Sequence, residues 1–157
     1  MNFLAHLWLA DRTQTSLAGS VLGDVVRGSD LSAYPANIAQ GIRLHRRVDA
    51  ATDRHPLMCE ARAAFGPGER RYAGIVLDLA ADYALVNAWP EFHRESLEAF
   101  TQRCGLAMEA AEEWFLLGGG SRPRAAGFAE LLRSYGSPVG MERAVLRTAS
   151  RMRDPQG

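Results

Sequence analysis

The chain has 157 residues, and its 18 basic and 18 acidic side chains leave no net charge that would draw it to nucleic acid or to a membrane surface. Cys59 and Cys104 are far apart and outside any CxxC pattern, which argues against a zinc knuckle or disulfide framework and favours a reduced, cytoplasmic protein. The length suits a single domain over residues 1–157, and the apolar run at the N-terminus is too short to span a bilayer.

Apolar residues recur with helical spacing along the whole chain, and no segment shows the alternation typical of a strand. Asn2 and Ser16 are candidate N-caps, and Gly and Pro residues separate the later segments. The predicted helices cover residues 2–10, 16–28, 35–54, 56–65, 70–89, 95–117 with a possible break at Gly105, 123–135 and 138–152. The sequence therefore predicts an all-α fold, a single helical-bundle domain.

The third predicted helix has ionisable side chains on its core-facing stripe. The stripe consists of Ile38, Ile42, His45, Asp49 and Thr52, at spacings of three and four residues. Burying a carboxylate costs several kcal/mol unless it is paired or bound to a metal. Because His45 and Asp49 lie one turn apart, both can reach the same cation.

Three other predicted helices repeat this feature. His6 shares a face with Phe3 and Leu7, and Asp24 continues the stripe of the second helix. Asp78 and Asp82 lie one turn apart among apolar neighbours, so they should repel unless a positive charge sits between them. Such convergence is typical of metal sites in helical bundles, and the competing interpretation is a structural network of ion pairs with Arg27, Arg43 or Arg46. The proposed metal ligands are His6, Asp24, His45, Asp49, Asp78 and Asp82.

Histidine and aspartate without thiolate suit Mn²⁺, Mg²⁺, Fe²⁺ or Zn²⁺, and an oxygen-rich set favours Mn²⁺ or Mg²⁺. Such an ion activates water and neutralises charge on a phosphoryl oxygen. Arg46 and Arg47 flank the ligand pair and could bind phosphate, although surface salt bridges are the ordinary role of such residues. Asp53, one turn after Asp49, either orients a ligand or faces solvent.

Several of these residues stand in compact motifs. The motifs are Asn2-Phe3-Leu4-Ala5-His6-Leu7, Gly23-Asp24 with Arg27-Gly28, Gly41-Ile42, His45-Arg46-Arg47-Val48-Asp49, Thr52-Asp53, and Asp78 with Asp82. They resemble the acyl-carrier-protein phosphodiesterase family, whose members are similar to all-helical, metal-dependent HD-type phosphohydrolases. The resemblance is detailed over about the first 90 residues and then thins to Tyr135 and Ala149-Ser150-Arg151.

The resemblance implies Mn²⁺-dependent hydrolysis of the phosphodiester that joins 4'-phosphopantetheine to a serine of holo-acyl carrier protein. Metal-activated water would give the apo-carrier, an activity of fatty acid and lipid metabolism. The six proposed ligands would hold one or two metal ions, with His45, Asp78 and Asp82 acting in catalysis. Tyr83 stands where the family pattern has His, and the chain ends at Gly157 where family members continue. The alternatives are an HD-like phosphohydrolase for a nucleotide or other small phosphoester, and a member that binds the carrier without turnover.

Arginine is concentrated towards the C-terminal end. Residues 122–157 include three acidic residues, Glu130, Glu142 and Asp154. The same segment contains seven arginines (122, 124, 133, 143, 147, 151 and 153), which gives it a surplus of four positive charges. Arg143, Arg147 and Arg151 follow at intervals of one helical turn, which predicts a basic ridge for an acidic partner such as the carrier protein. The alternative is a solvated helix face whose basic residues complement the helix dipole.

Overall fold

The computed structural model describes residues 1–153, which form ten helices and no strand. The helices are α1 (Phe3–Arg12), α2 (Leu17–Leu22), α3 (Ala36–Arg54), α4 (Pro56–Ala63), α5 (Arg70–Asn87), α6 (Trp89–Phe92), α7 (Leu97–Ala110), α8 (Glu112–Leu117), α9 (Ala125–Ser134) and α10 (Pro138–Arg153). The predicted all-α fold is therefore confirmed. Within this part of the chain, no helix combines the length and apolar character needed to cross a membrane.

Two predicted helices have different ends. The second helix stops at Leu22, because the backbone N–H groups of Asp24 and Val25 donate to carbonyls three residues back in tightened turns. The helix predicted from residue 95 to 117 breaks at Ala111 and not at Gly105. Gly105 instead lies inside α7, where a Cβ would overlap the carbonyl of Ala125. This glycine allows α7 to approach the start of α9 closely.

A second pair of glycines sets the packing of α2 on α3. A Cβ on Gly19 would lie 2.9 Å from the Cα of Gly41, and 2.7 Å from the carbonyl oxygen of Ile38. Any larger side chain at either glycine would push the two backbones apart. The close contact brings the end of α2, and with it Asp24, next to the middle of α3.

The core is formed by buried apolar side chains from most of the chain, including Leu4, Leu7, Leu22, Ile42 and Phe100. Helix α1 packs against α2, α3 and α5, and α10 packs against α5. The ionisable faces of α1, α3 and α5 therefore meet beside the end of α2, and α10 borders the region where they meet.

Candidate metal centre

His45 is held in place by the backbone of α2. Its Nδ1–H donates to the carbonyl oxygen of Ser20, 2.5 Å away, and the ring is 3% exposed. A Cβ on Gly23 would overlap this ring, so only glycine leaves room for it. The motif Gly23-Asp24 thus combines a space for the imidazole with a carboxylate for its other nitrogen.

The second nitrogen of His45 faces two carboxylates. Nε2 lies 3.1 Å from Oδ1 of Asp24 and 3.2 Å from Oδ2 of Asp49. Burial alone would lower the pKa of His45, but the hydrogen bonds to Asp24 and Asp49 and their charges outweigh it and raise the pKa to about 9. Since every partner of the ring is an acceptor, both nitrogens carry hydrogen and the ring is an imidazolium.

His6 of α1 completes a compact group with His45 and Asp49. The two imidazole rings stack with centroids 3.7 Å apart, and Nε2 of His6 donates to Oδ1 of Asp49 over 2.9 Å. One nitrogen from each histidine and one oxygen of Asp49 all lie within 4.8 Å of one another, close enough to hold one metal ion. Burial would raise the pKa of Asp49, but hydrogen bonds from His45, His6 and the α-amino group of Met1 hold it well below its usual range.

Asp78 of α5 faces the same group across a positive charge. The α-amino group of Met1 lies 3.0 Å from Oδ1 of Asp49 and 3.2 Å from Oδ2 of Asp78. Burial raises the pKa of Asp78, with the charges of Asp49 and Asp53 acting in the same direction, and the ammonium group offsets this only in part. The ammonium group therefore lies between Asp49 and Asp78, and not between Asp78 and Asp82, the pair for which a positive charge was expected. A metal ion held by both Asp49 and Asp78 would have to displace this group.

Asp82 serves a different purpose from Asp78, although the two lie one turn apart. It is fully buried, and its oxygens accept hydrogen bonds from the backbone N–H groups of Leu4 and Ala5 and from the side chain of Asn2, at 2.9 to 3.0 Å. Asp82 thus caps α1, and Asn2, which occupies the N-cap position, makes no side-chain cap bond of its own. Burial outweighs the hydrogen bonds and raises the pKa of Asp82 to about 6. Its metal ligation and catalytic role remain predictions.

The structure does not bring Arg46 and Arg47 to this group. Arg46 donates to the carbonyl oxygen of Val26 over 3.1 Å. Arg47 is exposed and lines a separate cleft on α3 with Leu44 and Val48. Because Arg47 is two positions from both His45 and Asp49 in the sequence, its side chain lies on another face of the helix. Phosphate binding by this pair remains a prediction without a supporting contact.

A cleft of about 260 Å³ contains four of the carboxylates, those of Asp24, Asp49, Asp53 and Asp78. Asp53 also forms an ion pair with Arg62, at 3.4 Å. Thr148 of α10 lines the cleft too. No sequence pattern marks this residue, because its position depends on the packing of α10 against α5. Tyr83 is not among the residues that line this cleft.

An all-helical fold that brings two buried imidazoles together with Asp49, at the edge of a cleft lined by carboxylates, defines a class of protein suited to hold a divalent cation. The family model described as acyl carrier protein phosphodiesterase matches residues 1–157. The chain belongs to this family.

Three relatives named acyl carrier protein phosphodiesterase illustrate the similarity. The protein of Photorhabdus laumondii subsp. laumondii is 48% identical over 89 residues, covering 57% of this chain and 45% of the relative. That of Enterobacter sp. (strain 638) is 45% identical over 95 residues, 60% of this chain and 49% of the relative. That of Yersinia pestis is 47% identical over 91 residues, 58% and 47% of the two chains. The aligned residues span about half the length of these relatives, and no solved structure gives a significant match.

Proposed function

We propose that this chain is a metal-dependent phosphodiesterase. Its substrate would be holo-acyl carrier protein, in which a phosphodiester joins 4'-phosphopantetheine to a serine, and the product would be the apo-carrier. The observation that carries the proposal is the convergence of His6, His45 and Asp49 on one point, in a chain that belongs to a family described by this activity. Hydrolysis of a phosphodiester requires positive charge at the phosphoryl group. The cleft contains four carboxylates, so a cation bound to them would supply this charge.

The donor set fits a divalent metal ion. Two imidazole nitrogens and a carboxylate without thiolate suit Mn²⁺, Fe²⁺ or Zn²⁺, and the further carboxylates of Asp24 and Asp78 shift the preference towards Mn²⁺. When bound, the ion would lower the pKa of a water molecule and neutralise charge on a phosphoryl oxygen. The Ser20 carbonyl would orient His45 as a ligand, because a hydrogen bond at Nδ1 leaves Nε2 for the metal.

The chain's own residues also offer a route for the proton of the attacking water. Asp78 lines the cleft, where its carboxylate can accept a proton from a water molecule. In the proposed reaction Asp78 takes a proton from water as the oxygen attacks phosphorus. The bond between phosphorus and the serine oxygen breaks, and the serine alkoxide takes up the proton that Asp78 received from water.

The partner in this proposal is the acyl carrier protein itself, and we infer a cytoplasmic location. Both cysteines are free thiols in the structure, Cys59 on the surface and Cys104 in the core, as expected in a reducing compartment. Burial raises the pKa of Cys104 to about 12, so this thiol is unreactive at physiological pH. The cysteines therefore play no part in the proposed chemistry.

The test is incubation of the purified chain and Mn²⁺ with holo-acyl carrier protein, followed by mass spectrometry of the carrier. Conversion to the apo form is expected, with loss of at least about 100-fold in rate for Asp49→Asn. Glu60→Gln, which removes the same charge from an exposed position on α4, is the matched control and should retain wild-type rate. Hydrolysis of small phosphoesters without conversion of the carrier would favour the HD-like alternative. Binding of the carrier without conversion would favour a non-catalytic member.

A further inference from the structure

A second cleft adjoins the carboxylate cleft. It has a volume of about 420 Å³ and shares Asn2, Asp24, Leu79 and Thr148 with the first, so the two are continuous. Buried Tyr135 lines it on the side of α9. The far side is formed by α10, which contributes Arg147 and Arg151. The cleft therefore leads from the proposed metal centre to a pair of guanidinium groups.

The two clefts differ in charge. The first contains Asp24, Asp49, Asp53 and Asp78, which would repel an acidic molecule. Of these four carboxylates only Asp24 also lines the second cleft, where Arg147 and Arg151 outnumber it. Arg147 and Arg151 are exposed, lie one turn apart and form no ion pair with any side chain of residues 1–152. They are thus available to an external anion.

Two other arginines of the predicted basic region already have internal partners. Arg122 pairs with Glu112 at 2.7 Å, and Arg133 donates to the hydroxyl of Thr101 over 2.9 Å. Arg143 lies with Arg147 along a third cleft, between α9 and α10, which also contains Glu130, but it does not line the cleft beside the carboxylates. The side chain of Arg153 and all of Asp154 lie outside the described residues. The structure thus narrows the predicted ridge to two arginines beside the proposed active site.

We propose that Arg147 and Arg151 form the docking surface for acidic side chains of the protein that carries the phosphodiester. This inference rests on the proposed function, because a phosphodiester attached to a protein brings that protein's surface against the mouth of the cleft. The carboxylate cleft repels an acidic protein surface, whereas the two arginines attract it and orient it towards the cleft. Charges at the rim of an interface act mainly on the association rate and on its salt dependence.

The test measures association of the full chain, loaded with Mn²⁺, with fluorescently labelled holo-acyl carrier protein by stopped flow. The double variant Arg147→Gln with Arg151→Gln should associate about fivefold more slowly at low ionic strength, and the deficit should shrink at high ionic strength. The double variant with lysine at both positions should recover most of the rate, since it restores the charge. Arg43→Gln with Arg54→Gln removes two exposed arginines of α3 that line neither of the two clefts, and this variant should associate like the wild type.

The outcomes separate this inference from the proposed function. If the glutamine variant keeps the wild-type rate, or slows no more than the control pair, the docking surface is wrong, whether or not the carrier is hydrolysed. If the wild type binds the carrier through these arginines but never converts it, the docking surface stands and the proposed activity fails. Absence of carrier binding by the wild type would overturn the docking surface. Slow association of the lysine variant would show that charge is not the cause.

Discussion

The hydrogen bond from Nδ1 of His45 to the carbonyl oxygen of Ser20 gives the two nitrogens of this ring different tasks. The carbonyl can only accept, so Nδ1 keeps its hydrogen at all times. Nε2 faces Asp24 and Asp49, so in the proposed metal centre it is the nitrogen that would exchange its proton for a metal ion. Proton and metal would then compete for one position, and the first prediction follows from this competition.

Affinity for Mn²⁺ should rise with pH across the neutral range. The pKa of His45 is raised to about 9 in the metal-free protein, so below that pH a proton must leave when the metal binds. One released proton corresponds to about tenfold tighter binding per pH unit. Isothermal titration with Mn²⁺ between pH 6.5 and 8.5 measures this slope, and a flat profile would contradict the ligand role of His45.

The stability of the metal-free protein should fall as pH rises, whereas its affinity for Mn²⁺ should increase. Because the folded-state pKa of His45 lies above the ordinary histidine value of 6.5, its contribution to stability is fully present below pH 6.5 and is lost as pH rises towards about 9. The thermal midpoint in chelator should thus fall over this interval. His45→Gln removes the titrating group and should show a smaller fall, which thermal melts at several pH values can measure.

Removal of the metal should destabilise the wild type but not a variant that lacks the carboxylate of Asp49. A ligand at 100 times its dissociation constant stabilises the folded state by about 2.7 kcal/mol. A strong chelator should therefore lower the melting temperature of the Mn²⁺-loaded wild type and leave that of Asp49→Ala unchanged. Elemental analysis of both proteins gives the metal content directly, and equal content in the two would exclude Asp49 as a ligand.

Gly23→Ala should disturb the site by overpacking it. The added Cβ would overlap the His45 ring, which is already fixed by Ser20, and such overpacking typically costs about 1–3 kcal/mol. Loss of Mn²⁺ affinity should accompany the lower stability in denaturant melts. Gly74→Ala on α5 is the matched control, since its Cβ would have no neighbour within 4 Å. It should stabilise the protein by about 0.5–1 kcal/mol through helix propensity.

Two substitutions at Asp82 distinguish a helix cap from a metal ligand. Asp82→Asn keeps a carbonyl oxygen for the N–H groups of α1, so a capping role predicts wild-type metal stoichiometry in this variant. Asp82→Ala leaves the buried N–H groups of Leu4 and Ala5 without an acceptor and should cost about 1–2 kcal/mol in denaturant unfolding. Metal loss in the asparagine variant would instead support the predicted ligand role.

The helical spacing of apolar residues was sufficient to predict the helices. It also placed His45 and Asp49 on one helix face, because that relationship depends on a single helix. It also selected His6 and Asp24, whose apolar neighbours share their faces. The same rule could not assign separate roles to Asp78 and Asp82. A buried carboxylate needs a positive partner, and an uncapped helix N-terminus meets this need as well as a cation does. Only the tertiary structure shows that α1 supplies that partner to Asp82.

The missed details also depend on contacts between distant segments. The sequence marks Gly105 as a helix breaker, but the approach of Ala125 explains a glycine within a continuous helix. From local sequence Gly23 would be interpreted as a turn residue. The structure shows that glycine is needed there to leave room for the ring of His45, 22 positions later in the chain. Thr148 comes into the cleft only through the docking of α10 on α5. None of these relationships leaves a periodic pattern in the sequence.

The capping of α1 by Asp82 also has a consequence for synthesis on the ribosome. His6, Asp24, His45 and Asp49 all lie within the first 49 residues, yet the acceptor for the Leu4 backbone N–H is 78 positions further along the chain than Leu4. At about 5–20 residues per second, on the order of ten seconds separate translation of the two. A nascent chain therefore carries four of its six proposed metal ligands before the residue that caps α1 has been made. If the proposed metal centre forms, we expect metal loading to follow the capping of α1 by α5.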